Sequence, residues 1–322
     1  MNRRSFIKAS GIAGSAAFIP HLLAGREIGS SPKRENAPTD DLLKGVCDIH
    51  VHRETAEDVC DLTKKAQALG YKAIMLKPTF WPVDELVTLA TENLPDFQCF
   101  GGLIMTLALG NKVNFYAAEK AINNPKKRCR CIWMPTQNAA YPPTVESRHP
   151  GPTISVADAN GRILPEVVRV MELCAEANII FASGHSSPTE SLEMAKLAKE
   201  VGVKKYVITH ANSRIWRFTH DQVKQAVDLG AYLEYCYLPR LWGPGTYFSW
   251  MPRLSHEEFI DYVRLAPERS FISTDLGNKR MSIEPLEGMR MCINELIEAG
   301  VPQKEIDLLT RTNPAYLIGL TE

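Results

Sequence analysis

Neither sign of charge dominates this sequence: 37 lysines and arginines balance 37 aspartates and glutamates over 322 residues. That balance removes the electrostatic footprint of a protein that binds nucleic acid or an anionic membrane surface. No apolar run reaches the about 20 residues that cross a bilayer. No Gly-x-Gly-x-x-Gly follows the first apolar segment, which weakens any dinucleotide-binding reading. Eight cysteines are present, but Cys129-x-Cys131 has no second pair at zinc-site spacing, so it reads as core strand. What remains is ordinary globular composition, 45% hydrophobic and 23% charged, with length for one large α/β barrel or two smaller domains.

The N-terminus stands apart. Asn2-Arg3-Arg4-Ser5-Phe6-Ile7-Lys8 precedes a Gly/Ala-rich apolar stretch over 9–19, then Pro20 and Leu22-Leu23-Ala24. A charged start, short apolar middle and small-residue exit describe a secretory signal rather than a span. The paired arginines resemble a twin-arginine signal peptide over 1–25, with cleavage near Ala24-Gly25. That resemblance implies recognition by the twin-arginine export machinery, folding and metal loading before export, and a periplasmic or otherwise exported protein with no membrane span after cleavage. Residues 26–43 are polar and read as a linker. Cysteines sit awkwardly with an oxidising destination, and most read as small buried hydrophobes.

From residue 44 onward, short apolar runs alternate with helical patterns. Strands are predicted over 46–51, 71–76, 99–105, 130–134, 179–183, 205–209, 231–237 and 270–274. Helices are predicted between them: 57–69 ending at Gly70, Pro165 to Ala177, a start at Pro188 or Thr189, and capping boxes at Thr219/Gln222 and Ser255/Glu258. Eight βα units in one chain predict a (β/α)8 TIM barrel forming a single catalytic domain over 44–322. A doubly wound sheet is the alternative.

Chemistry in such a barrel collects at the C-terminal strand ends. There the sequence places His50 and His52, then Lys77, His185, His210 and Asp275. His-x-His alone is weak, since eight histidines produce one by shuffling roughly one time in six. Side chains two apart share a strand face, so His50 and His52 are expected to point inward together. By the same alternation Val46 and Asp48 should point inward, and Cys47, Ile49 and Val51 toward the helices. Asp48 is expected to support a ligand, Glu234 to be structural, His220 and His256 to lie at the surface, and His149 to be the one spare histidine able to enter the site. Aromatics and arginines on the loops, Arg214, Trp216 and Arg217, then Arg240, Trp242, Tyr247 and Trp250, suggest contacts to an anionic substrate. Phe80-Trp81-Pro82 could wall an apolar pocket beside Lys77, and the long stretch 135–164, with Arg148, could form a lid.

This constellation resembles the amidohydrolase superfamily, which carries His-x-His after strand one, histidines after strands five and six, and an aspartate after strand eight. The segment 313–320 is similar to the closing helix of such enzymes. The resemblance implies that His50, His52 and Asp275 hold one metal. It implies that His185 and His210 hold a second, or that one of them binds and the other acts on substrate, and that Asp275 also takes a proton from water. The usual bridging lysine or glutamate of strand four is missing. Lys77 is the nearest substitute, either as a carboxylated bridge, as an ammonium that binds substrate, or as a snorkelling surface lysine. Expected cofactors are one or two divalent metals, Zn foremost, with Mn, Fe, Co or Ni as alternatives. The expected activity is metal-assisted hydrolysis of an amide, ester, lactone or cyclic imide in a small molecule. A single-metal decarboxylase or other lyase is the alternative, and a non-catalytic metal-binding barrel a third reading. Substrate identity and oligomeric state are not legible.

Overall fold

The computed structural model describes residues 41–141, 151–216, 218–278 and 281–321; the leader, Arg148, His149 and Arg217 lie outside them. Eight strands, β1 (Cys47–Val51), β2 (Ala73–Leu76), β3 (Gln98–Ile104), β4 (Cys129–Trp133), β5 (Ile180–Ala182), β6 (Tyr206–Ile208), β7 (Tyr232–Cys236) and β8 (Ser270–Ser273), pair in parallel in sequence order. Each is followed by a helix: α1 (Ala56–Ala68), α2 (Asp84–Asn93), α3 (Phe115–Ile122), α4 (Pro165–Ala177), α5 (Pro188–Glu200), α6 (His220–Asp228), α7 (His256–Leu265) and α8 (Pro285–Glu298). This is the (β/α)8 barrel. Pro165 opens α4, and complete capping boxes start α5 at Ser187/Glu190, α6 at Thr219/Gln222 and α7 at Ser255/Glu258, satisfying amides that have no partner inside the helix. Among the described residues no helix is long and apolar enough to cross a membrane.

Two apolar layers hold the barrel. Val46, Val51, Ile74, Leu76, Ile132, Phe181, Leu233 and Tyr235 pack outward against the helices. Ile49, Met75, Phe100, Trp133, Val207 and Phe271 fill the interior. The last helix (Asn313–Leu317) plugs the end away from the site: Ala315, Leu317 and Ile318 join the interior cluster, and Asn313 Nδ2 donates to the carbonyl of Ser270, the first residue of β8.

The seam between β1 and β8 closes the barrel. Asp275 N donates to His50 O at 2.9 Å and His52 N to Leu276 O at 2.8 Å. Beneath them the buried Asp48 carboxylate accepts Thr274 Oγ1 at 2.5 Å, Thr274 N at 3.1 Å and His50 N at 3.4 Å.

Strand parity needs a correction. Val51 faces the helices as expected, but Val46 does too, and Cys47 and Ile49 fill the interior. The reason is a bulge: Asp48 to Val51 on β1 opposes only Ile74 to Leu76 on β2. One extra residue reverses the alternation after Ile49, so His50 and His52 turn into the barrel while Asp48 does not share their face.

Thr274→Val keeps the side-chain shape but strips the strongest donor from a buried carboxylate. It should cost about 2–3 kcal/mol in chemical denaturation; an unchanged midpoint and slope would show that the Asp48 clamp does not hold the seam.

Candidate metal centre

The bulge aims His50 at two carboxylates. Its Nδ1 lies 2.8 Å from Glu234 Oε1 on β7, and its Nε2 lies 2.9 Å from Asp275 Oδ1. The latter approach is off the line of a hydrogen bond, leaving this fully buried nitrogen without a hydrogen-bond partner among the described residues. His52 Nε2 lies 2.9 Å from the same Asp275 oxygen, and Thr79 Oγ1 is 3.3 Å from its Nδ1. Glu234 accepts from Nδ1 of His50, which keeps a proton there and leaves Nε2, once its own proton is lost, as the atom that would donate to a cation,. Two imidazole nitrogens thus converge on one carboxylate oxygen, a donor set that fits a divalent cation,.

Backbone conformations place the later residues. His210 and Asp275 both adopt left-handed φ, +57° and +56°, which costs a non-glycine residue roughly 1–2 kcal/mol. These turns end β6 and β8 abruptly and swing each side chain over the barrel mouth. Gly184 does the same after β5 at φ +61°, where a Cβ would meet Met134 O at 2.3 Å. Gly277 lets the chain pass His52, whose carbonyl would lie 2.0 Å from a Cβ.

His210 Nδ1 lies 3.1 Å from Cys236 Sγ and 3.8 Å from Asp275 Oδ2. Its ring stacks on Trp216, with centroids 4.8 Å apart, and His185 completes the group, 5.1 Å from His210 and 4.5 Å from Trp216. Lys77 is buried at the end of β2, its Nζ 6.0 Å from the Trp133 ring. Its positive charge bears on His50, His52, His185 and His210. His50, His52, His210 and Asp275 therefore come together, with His185 and Lys77 around them.

The loop arginines are engaged elsewhere. Arg214 pairs with Glu258 on α7 at 2.7 Å, half exposed. Arg240 pairs with Glu295 on α8 at 2.7 Å and donates to Leu254 O. Trp216 and Trp242 are buried, each with an indole N–H that has no partner among the described residues. Phe80, Trp81, Tyr247 and Trp250 are exposed. Of the histidines set aside as surface residues, His220 rests against Tyr262 and His256 pairs with Glu295.

Sequence reasoning took Glu234 as structural and passed over Cys236 and Asn212. Glu234 and Cys236 alternate on β7 with Tyr232, and all three face inward. A carboxylate inside an apolar strand was the available signal, because a buried charge needs a partner. Asn212 gave no signal: its side chain brackets Cys236 by accepting from its amide and donating to its carbonyl.

Burial disfavours charge on all four imidazoles. It pulls His52 and His210 down to about 4 and His185 well below its usual value. At His50 burial pulls the same way, but Asp275 and Glu234 on its two nitrogens outweigh it and raise it to about 9. That imidazolium in turn holds Asp275 well below, and Glu234 below, the usual carboxylate range against the effect of burial.

A parallel barrel with histidines and an aspartate at its strand ends defines the class of this protein: a TIM barrel with a candidate metal centre at the C-terminal mouth. The chain belongs to a family of unknown function, DUF6282, which matches residues 45–234. No curated protein matches it in sequence. Its fold is similar to that of a probable dipeptidase, PvdM, from Pseudomonas aeruginosa, with 12% identity, TM-score 0.59, and 87% of this chain and 96% of that one covered. It is also similar to an amidohydrolase from Pseudomonas aeruginosa, with 9% identity, TM-score 0.55 and coverage of 86% and 97%. A third likeness is to an Agrobacterium tumefaciens protein solved in the apo form, with 14% identity, TM-score 0.55 and coverage of 89% and 99%.

The pKa pattern sets a pH profile for protein stripped of metal. Below about pH 6.5 the unfolded chain takes up protons that folded His52, His185 and His210 refuse, so stability falls toward pH 4. Asp48, which burial raises to about 7, opposes this limb but is one group against three. Above 6.5 the unfolded chain loses the proton that folded His50 keeps until about 9, so stability falls again. Thermal melts across pH should peak near 6.5, and a saturating divalent cation should flatten the alkaline limb, because His50 then binds without its Nε2 proton. A monotonic rise to pH 9 in stripped protein would contradict the arrangement.

Proposed function

We propose that this chain is a metal-dependent hydrolase of the amidohydrolase type, acting on a C–N or C–O bond of a small amide, ester, lactone or cyclic imide. The observation that carries the reading is the convergence of His50 Nε2 and His52 Nε2 on Asp275 Oδ1, each at 2.9 Å, at the mouth of the barrel. The amidohydrolase and the probable dipeptidase among the similar structures support it.

His50, His52 and Asp275 would hold the cation. When bound, a divalent cation supplies Lewis acidity, lowering the pKa of water and polarising a carbonyl. The protein's own groups do the rest. Glu234 keeps the proton of His50 on Nδ1, so that Nε2 stays a donor atom. Asp275, held ionised, accepts the proton of the attacking water and delivers it to the leaving group. Lys77 sets a positive charge at the mouth for the oxygen that becomes negative in the transition state. His185 and the unpartnered Trp216 N–H offer hydrogen bonds to substrate. Arg214 and Arg240 are paired with carboxylates in this structure, so recognition of an anionic substrate falls to Lys77. A lyase reading draws on two features: β4 offers no bridging carboxylate or lysine, and Lys77 is placed to hold a carboxylate. Release of CO2 from carboxylated aromatics, rather than acid from esters or amides, would select it.

Metal analysis and a screen of esters, lactones, amides and carboxylated aromatics test the proposal together. His50→Ala should purify with less metal than the wild type; full metal content in that variant would sink the ligand assignment. Glu234→Gln should weaken metal affinity by roughly 10- to 100-fold in chelator competition. Asp275→Asn should stay folded and lose about two to four orders of magnitude in turnover.

We also propose export through the twin-arginine route. Replacing both Arg3 and Arg4 with Lys should leave the unprocessed chain in the cytoplasm, read by fractionation and immunoblot. Undiminished export of that variant would refute the leader.

A further inference from the structure

Asp275 engages His50 and His52 through one oxygen only. Its other oxygen, Oδ2, faces a second constellation: His210 Nδ1 at 3.8 Å, with Cys236 Sγ 3.1 Å from that nitrogen. One ligand-type atom from each of His210, Cys236 and Asp275 lies within 4.8 Å of the other two. Tetrahedral bonds of about 2.0–2.3 Å put neighbouring ligand atoms roughly 3.3–3.6 Å apart, and the two measured separations bracket that range.

Cys236 is not free to turn away. Asn212 fixes its backbone from both sides. Ser273 Oγ, 3.4 Å from Sγ, gives its proton to Glu234 Oε1. Glu234 converges with Cys236 and His50, and its remaining oxygen, Oε2, is buried with no hydrogen-bond partner among the described residues. A buried carboxylate oxygen left unmatched beside a thiol and an imidazole points to a positive ligand.

We propose that Asp275 bridges two cation positions, and that Cys236 is the thiolate ligand of the second, with His210. The proposal rests on the first position described above. It supplies what β4 lacks, since the carboxylate of β8 joins the two positions instead; with both oxygens engaged, the proton-accepting role given to Asp275 for a single bound cation would pass to the neutral His185. It also assigns His185 away from the metals, as its nitrogens are in none of the converging groups among the described residues. The thiol proton leaves for solvent as the cation binds. A thiolate beside imidazole and carboxylate favours borderline-soft cations such as Zn or Co over Mg or Ca.

Cobalt(II) reports the thiolate directly, through sulfur-to-cobalt charge transfer in the near ultraviolet. Chelator-stripped protein titrated with cobalt(II) alone should take up two equivalents, one of which brings in the charge-transfer band. Cys236→Ser and Cys236→Ala should each bind one equivalent without the band, with circular dichroism checking their fold. His50→Ala should keep the band and lose the other equivalent. Saturation of the wild type at one equivalent with no charge-transfer band would overturn the thiolate site and leave the hydrolase reading intact. No binding at all would overturn both. The wild-type spectrum decides the matter even if the Cys236 variants do not fold.

Discussion

Closing a barrel of eight strands requires the last to meet the first, and here that meeting is made by the residues of the candidate metal centre. The amide of Asp275 donates to the carbonyl of His50, and the amide of His52 to the carbonyl of Leu276. The side chains of the same three residues, His50, His52 and Asp275, converge above the seam. Asp48 locks the arrangement from below by taking donors from both strands. Register therefore fixes site geometry: sliding β8 along β1 by one residue would send Asp275 to the other face. Stability of the seam and alignment of the donor atoms are one property of the fold.

The cost of that alignment appears in the backbone. A regular strand delivers side chains at right angles to the sheet, into the barrel wall or the interior, not over the mouth. Three departures re-aim them: the bulge in β1, and the left-handed turns at His210 and Asp275. Such conformations persist where surrounding contacts over-determine them. Here the contacts are visible: Ser213 donates its amide to His210 O, Trp216 covers the His210 ring, and the seam bond holds Asp275. The exposed aromatics lie on the loops of the mouth, whereas the converging side chains sit at turns held by these contacts.

Much of this was legible in the sequence. Apolar runs separated by capped helices are local signals, so all eight strands and the capping boxes of α6 and α7 could be read directly. The order of strand-end residues placed His50, His52, His185, His210 and Asp275 because chain order and space order coincide in a barrel. Parity failed on β1, because alternation carries no mark of an inserted residue, and Cys47 and Ile49 are apolar enough for either face. The roles of Glu234 and Cys236 were missed because they depend on which side of β7 faces in. Tyr232 and Tyr235 suit both layers, and only the packing of neighbours decides. The ion pairs of Arg214 and Arg240 could not be read for a related reason: Glu258 and Glu295, their partners, sit on helices distant in the chain.

The electrostatics of the interior make a further demand. Glu234 and Asp275 are both held ionised in a buried space, and two uncompensated carboxylates there would be prohibitive. Without a cation, the proton on His50 and the charge on Lys77 supply the balance, which is why His50 alone among the four imidazoles is raised. Exchanging that proton for a divalent cation moves the local sum from neutral to about plus one, counting Asp275, Glu234 and Lys77 with unit charges. A net positive mouth would stabilise a hydroxide and an oxyanion formed there, and an anionic thiolate would take up part of a second cation's charge. The same carboxylates that would hold a cation are thus balanced without one, and His50, aimed by one bulge, is the imidazole whose proton a cation would replace.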